Sequence, residues 1–399
     1  MRFFKKRYIL ILIFLLAFIL RLVFVLQSSE IPSSDASVYD RLGLSISEGQ
    51  GYVNNRGTPH CHYPPFYPFF LSIIYTLFGH SYTAVRIFQS VLGAFSCVLV
   101  YLIGKRMFTV SVGAVASFIS IVYFPFIKSA ELLLSELVFT FLLLLIVFYL
   151  LKIQENMNFR DSIILGLLSG IALLTRSMAI LLPLFILPVF IYSRKGGLLY
   201  ILKRYIVVLL FFCLTMAPWL IRNYNIHHRF VPTSVEGGMT LWMSYFPTKG
   251  VFGINSTRED PVVAESYKIK DPVLRNRFLV KKIIDFIWNN PKEILALELK
   301  KVLYFWAPFD WEIVGGRWFN FEYVAMLPFI AIGIFLAIKG FRKNYPVLLP
   351  IIYFQIMALI FYGSPRFRLP IEPFIFILAA TGILQCYKWM FDKRREVRE

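Results

Sequence analysis

Long apolar runs separated by short polar joints dominate the chain. A run of about 20 apolar residues is enough to cross a bilayer as a helix. Such runs lie near 8–27, 83–103, 110–127, 132–151, 162–176, 177–193, 204–221, 323–339, 345–362 and 370–388. The pair 162–176 and 177–193 is short for two full spans and reads as a tight hairpin. Pro65–Phe78 is apolar but short and Pro-rich at its start, so it reads as a helix in the outer interface. Two long polar segments interrupt the pattern, 28–82 and 222–322. In the second, Ile283, Ile284, Ile287 and Trp288 share one helical face, and Ile294, Leu295, Leu297 and Leu299 continue after Pro291. The expected architecture is an all-α polytopic membrane protein with about ten transmembrane helices, forming one domain over residues 1–399.

Composition agrees. Hydrophobic residues make up 58% of the chain and charged ones only 16%, against about 25% in a soluble domain. The net charge of +19 would suggest nucleic acid on a soluble protein. Here the basic residues gather at the ends of the runs, so no nucleic-acid partner is expected. Lys5, Lys6 and Arg7 precede the first run, Lys105 and Arg106 follow the second, and Lys152 and Arg160 flank the next such joint. Arg194, Lys195, Lys203 and Arg204, then Lys339, Arg342 and Lys343, then Lys393, Arg394, Arg395 and Arg398 continue the series. All fall on one side if 65–79 does not cross, and that side is the cytoplasm by the positive-inside rule. The expected location is the cell (inner) membrane, with the two polar segments extracytoplasmic. The basic start followed by an apolar run to Leu26 reads as a retained anchor. Of four cysteines only Cys61 falls in a polar loop, so no disulfide framework is visible.

The informative polar residues lie at the outward ends of the runs: Asp35, Asp40, Glu131, Glu136, Arg176, Arg222, Arg366 and Arg368. Ionisable groups at membrane depth are costly and usually line a cavity or pair. With spans read as nearly charge-free, this pattern describes a cleft at the outer surface. Asp35, a few residues past the first run, suits a general base that takes a proton from an acceptor hydroxyl. The plainer reading is a cap, with Ser34 or Asp35 opening a helix through Tyr39–Ser47 that stops at Gly49. His60-Cys61-His62-Tyr63-Pro64-Pro65-Phe66-Tyr67-Pro68 reads as a rigid corner over the cleft. Its His and Cys admit a transition metal but lack a clear third ligand.

Glu131 and Glu136, five residues apart, would diverge by roughly 140° on a helix. Glu136 is the deeper candidate, and the partner of an arginine is its alternative role. Arg222 with Asn223 ends the seventh run, and Arg366 and Arg368 stand between Pro365 and Pro370. Guanidinium forks at this depth suit a phosphodiester or pyrophosphate; snorkelling to headgroups is the plain alternative.

Six segments carry a likeness in order: Asp35 with Tyr39 and Gly49-Gln50-Gly51-Tyr52; Tyr63-Pro64-Pro65-Phe66-Tyr67-Pro68; Leu134-Ser135-Glu136-Leu137-Val138-Phe139; Leu174-Thr175-Arg176; Ala217-Pro218-Trp219-Leu220-Ile221-Arg222-Asn223-Tyr224 with Phe230-Val231-Pro232; and Arg366-Phe367-Arg368-Leu369-Pro370. Together they resemble the protein O-mannosyltransferase-like and aminoarabinose-transferase-like group of C-type glycosyltransferases. Their order is specific for the fold and not for the substrate. The resemblance implies a C-type glycosyltransferase fold. It also implies inverting transfer of a sugar from a polyprenyl-phosphate carrier to a glycan, lipid or protein acceptor on the extracytoplasmic face.

Asp35 and Glu136 would then be catalytic, with Asp35 as the base. Tyr39, Asp40, His62, Tyr63, Arg176, Arg222, Asn223, Arg366 and Arg368 would bind substrate. No P-loop is present, no cofactor is assigned, and a divalent metal stays open. Two other classes remain: a transporter or flippase of lipid-linked envelope precursors, and a non-catalytic scaffold. Charge-poor spans and one-sided loops speak against the transporter.

Overall fold

A computed structural model describes residues 2–193, 196–246, 260–310, 318–361 and 363–396. The chain opens with the apolar helix α1 (Arg2–Leu26) and then two outer helices, α2 (Ser34–Ser47) and α3 (Phe66–Phe78). Next come α4 (Tyr82–Met107), α5 (Val110–Val122), the short α6 (Phe124–Lys128), α7 (Glu136–Glu155) and α8 (Phe159–Thr175). A 3-10 segment, Ser177–Leu181, leads into α9 (Leu182–Tyr192) and α10 (Leu198–His227). The outer helices α11 (Gly237–Tyr245), α12 (Pro261–Tyr267), α13 (Pro272–Asn289) and α14 (Pro291–Phe305) follow. A two-residue antiparallel ladder, β1 (Phe309–Asp310) with β2 (Trp318–Phe319), precedes α15 (Phe321–Lys339) and α16 (Phe341–Ile360). A second 3-10 segment, Pro365–Ile371, runs into α17 (Glu372–Glu396).

Each of the ten expected runs is helical. Among the described residues, seven helices are long and apolar enough to cross a membrane: Tyr8–Leu26, Tyr82–Met107, Glu136–Glu155, Leu198–His227, Phe321–Lys339, Phe341–Ile360 and Pro365–Asp392. Val110–Val122 and Ser177–Tyr192 are shorter apolar helices, as is Phe66–Phe78. The protein is a multi-pass membrane protein. Local sequence explains the joints. Ser81 and Thr109 cap α4 and α5, accepting from the backbone N–H of Ala84 and Val112. Lys105 and Arg106 close α4, where cations complement the helix dipole. The break between α13 and α14 falls at Asn290–Pro291, as the sequence indicated.

α7 forms the centre, buried among α4, α8, α9 and α16. Its 20 residues span about 30 Å. Glu136 stands at one end. At the other, Arg106 pairs with Glu155, and Gln154 donates to the carbonyls of Arg342 and Lys343, both at 3.1 Å. Arg106, Arg342 and Lys343 therefore lie at the end opposite Glu136. Arg194, Lys195 and Arg398 lie outside the described residues. α15 and α17 cross with their backbones in contact: a Cβ on Gly333 would lie 2.0 Å from the Leu378 carbonyl, and one on Gly382 2.1 Å from that of Phe329. Small residues permit such an approach between apolar helices.

Two readings are corrected. The spans are not charge-free, because Arg21 is fully buried in α1. It donates to the carbonyls of Ala17 and Ser120, each at 3.1 Å, and Gly93 leaves room for its side chain. Arg86 and Glu372 are buried as well. Cys61 does not lie in an exposed loop. It packs with Val231, Val235 and Val273, and its carbonyl accepts from the Val235 N–H at 3.1 Å.

Candidate functional site

A cavity of about 830 Å³ opens between α2, the 52–64 loop, the joint after α8, and the outer ends of α14 and α16. One wall is polar and includes Asp35, Tyr39, Arg41, Asn54, His62 and Tyr63. The apolar lining includes Met178, Ile180, Phe305, Phe354, Met357 and Phe361. Arg176 and Arg366 line the cavity as well.

The helix α2 starts at Ser34, one residue before Asp35, and its cap position, Ser33, makes no side-chain hydrogen bond. Asp35 is therefore not a cap, and its carboxylate reaches the cavity. Oδ1 accepts from the Tyr63 hydroxyl at 2.9 Å, and Oδ2 lies 3.1 Å from Arg366 Nη2. The Asp35 side chain keeps 35% of its exposure, so water and substrate can reach it. Burial and the Asp35 carboxylate push the Tyr63 phenol well above its ordinary range, which keeps it a donor. Tyr39, raised to about 12 chiefly by burial, lies 3.4 Å from Ser135 Oγ.

Behind Arg366 stands Glu136, the first residue of α7 and almost fully buried. Its Oε1 accepts from Arg366 Nε at 2.6 Å and pairs with Arg176 Nη1 at 3.0 Å. Arg176 also donates to Ser135 Oγ at 3.1 Å and lies over the Phe367 ring. Asp35, Arg366, Glu136 and Arg176 thus form one alternating chain of charges. Glu131 was expected on the same helix as Glu136, but it falls in the turn before α7 and pairs with Lys128. The helical angle between the two does not apply.

Four of the expected binding residues point elsewhere. Arg366 and Arg368 sit in a 3-10 segment, where two residues are about 240° apart. Arg368 is buried on the far side, donating to the carbonyls of Phe305 (3.1 Å) and Ala307 (2.9 Å) and to Glu372 Oε1 (3.3 Å). Its guanidinium lies 3.9 Å from the Tyr323 ring. Asp40 is buried on the opposite face of α2 from Asp35. It accepts from Tyr75 at 2.7 Å and Tyr82 at 3.1 Å, and meets His80 Nε2 at 2.7 Å. Arg222 stacks near Tyr52 and Trp219 and donates to the Tyr52 carbonyl at 3.0 Å. Asn223, fully buried, joins Arg222 to the Val231 carbonyl. Arg222 braces the 52–64 loop from behind.

His62 does face the cavity, hydrogen-bonded to Glu236. Burial, then His62, lowers His60 to about 4, and its ring stacks on Tyr63. Burial raises the Cys61 thiol to about 11. Among the described residues, no three His, Cys, Asp or Glu side chains come together as a metal site. Sequence reasoning missed Glu236, 174 positions from its histidine, and the whole apolar wall, whose residues read as ordinary helix core.

Residues 62–221 match the model of the family described as dolichyl-phosphate-mannose-protein mannosyltransferase. The archaeal oligosaccharyltransferase AglB from Archaeoglobus fulgidus, in complex with an inhibitory peptide and a dolichol-phosphate, superposes on 98% of this chain. The TM-score is 0.59 and the identity 13%, and 52% of AglB is covered. The Archaeoglobus fulgidus oligosaccharyltransferase complex with Zn and sulfate superposes on 96% of this chain, with a TM-score of 0.60, 14% identity and 49% of its own length covered. ArnT from Cupriavidus metallidurans bound to undecaprenyl phosphate has a TM-score of 0.46 and 15% identity, over 93% of this chain and 76% of its own. The chain spans about half the length of the oligosaccharyltransferases. No curated protein matches it in sequence. The likeness to the oligosaccharyltransferases shows the C-type glycosyltransferase fold expected from the sequence, and over residues 62–221 the matching family model agrees with the suspected group.

Proposed function

We propose that this protein is a glycosyltransferase that moves a sugar from a polyprenyl-phosphate carrier to an acceptor on the extracytoplasmic side of the cell membrane, with inversion. The observation that carries the reading is one cavity in which Asp35 lies 3.1 Å from Arg366, beside an apolar wall. The wall formed by Met178, Ile180, Phe305 and Phe361 suits the first isoprene units of the carrier. The acceptor oxygen attacks the anomeric carbon as Asp35 takes its proton. The bond from that carbon to the phosphate oxygen breaks, and the electron pair leaves with the lipid phosphate. Arg366 lies where that new charge gathers, which is the most effective place for a fixed donor. Glu136 and Arg176 hold Arg366 from behind.

The orientation rests on the basic joints at the end of α7 opposite Glu136, which the positive-inside rule assigns to the cytoplasm. Among the described residues, His62 and Glu236 are two neighbouring donors, fewer than the three protein ligands of a zinc site, and the steps above use side chains alone. The test is transfer by the purified protein in lipid nanodiscs, supplied with an undecaprenyl-phosphate-linked sugar. Undecaprenyl phosphate should be released and the product should carry the opposite anomeric configuration. Retained configuration, or no binding of the lipid, overturns the reading.

A further inference from the structure

Arg366 holds two carboxylates at once. Its Nε donates to Glu136 Oε1 at 2.6 Å, and its Nη2 lies 3.1 Å from Asp35 Oδ2. Asp35 Oδ1 is engaged as well, by the Tyr63 hydroxyl at 2.9 Å. Both oxygens of the proposed base therefore have partners before any substrate arrives. The two ends of Arg366 differ. Glu136 is almost fully buried and is also gripped by Arg176, so that contact is fixed. Asp35 is partly exposed and faces the cavity, so that contact is open to competition.

We propose that Arg366 is shared between the base and the donor phosphate, so that Asp35 is released to the acceptor only when the lipid-linked donor is bound. The inference rests on the donor assignment made above. A guanidinium has five N–H donors in a fixed fork, and Glu136 anchors the Nε end of Arg366. The Nη end turns from Asp35 to a phosphate oxygen without breaking that anchor. The charges favour the exchange as the reaction proceeds. The donor phosphodiester carries one negative charge, and the departing monoester carries about −1.5 to −2 at neutral pH. Arg366 is held hardest by the phosphate when Asp35 has just taken the proton. Departure of the lipid phosphate returns Arg366 to Asp35, and the proton passes to water. A bare carboxylate then never waits beside water in an empty site. Binding is ordered, donor before acceptor.

The experiment reads Asp35 directly. The full-length protein in nanodiscs is treated with a water-soluble carbodiimide and glycinamide. Modification of Asp35 is followed by peptide mass spectrometry, with and without undecaprenyl phosphate. Lipid binding is measured separately by native mass spectrometry. Undecaprenyl phosphate should speed Asp35 modification by about tenfold, the factor expected for loss of one charge-assisted hydrogen bond. Buried Asp40 should stay unmodified. Arg366→Ala should show fast Asp35 modification without lipid. If the lipid binds and Asp35 modification stays constant or falls, the sharing is overturned while the donor assignment stands. If Asp40 modification rises in parallel, general loosening explains the effect and the sharing is overturned. If the wild-type protein binds no undecaprenyl phosphate, the donor assignment falls and the sharing falls with it.

Discussion

Asp35 and Asp40 lie five residues apart on α2 and so point about 140° away from each other. Asp40 accepts from two tyrosines, meets His80, and ties α2 to α3 and the start of α4. Asp35 meets one tyrosine and one arginine and faces a cavity. Arg366 and Arg368 repeat the contrast two residues apart. Arg368 is saturated by carbonyls, a carboxylate and an aromatic ring. Arg366 bridges two acids at the edge of the same cavity. Charge type is identical within each pair. What separates a reactive group from a structural one is whether its partners leave a side open to substrate.

The strongest way to break this contrast is to exchange the fates of the two aspartates. Asp35→Asn removes the proposed base and keeps the shape, so transfer should fall by about 10²–10⁴-fold with the melting temperature unchanged. An active Asn variant would sink Asp35 as the base. Arg368→Ala removes one cationic partner of buried Glu372, and removing one partner of a buried pair costs about 3–5 kcal/mol. Thermal unfolding in detergent should show that loss, whereas Arg366→Ala, which leaves Glu136 paired with Arg176, should lower the unfolding temperature less and bind undecaprenyl phosphate at least about tenfold more weakly. Equal destabilisation by the two would erase the distinction.

Asp40→Asn should cost about 1–3 kcal/mol of stability, the usual range for a buried group left short of a partner. In whatever fraction remains folded, transfer should be close to normal. The smallest effect is expected of Tyr63→Phe. It frees Asp35 Oδ1 of one hydrogen bond, so kcat should change by only about fivefold, on the scale of ~1 kcal/mol. A loss as large as that of Asp35→Asn would make Tyr63 a proton carrier and not a positioning group.

The helical frame was legible because run length and joint composition report directly on lipid contact. Asp35 and the arginine-partner role of Glu136 were legible for a related reason, since charged groups at the ends of apolar runs need partners. The roles of Arg368 and Asp40 were not. Which way a residue faces depends on helix register, and nothing in Pro365-Arg366-Phe367-Arg368 announces a 3-10 segment. Arg21 was overlooked because its support is a pair of backbone carbonyls, one of them 99 positions away. Carbonyls carry no sequence signature. The burial of Cys61 was not legible because its polar-loop neighbours hid the valines that reach it from beyond α10.

The glycine crossing of α15 and α17 bears on how such a site can diversify. Gly333 and Gly382 leave no slack between these helices, so the segment 365–371 stands on a post that cannot be adjusted a little at a time. Even one added methyl group at either position would part the two helices. On the proposed function, a change of acceptor falls instead to the part of the cavity where α11 and the 52–64 loop bring in Gly237, Asn54 and His62.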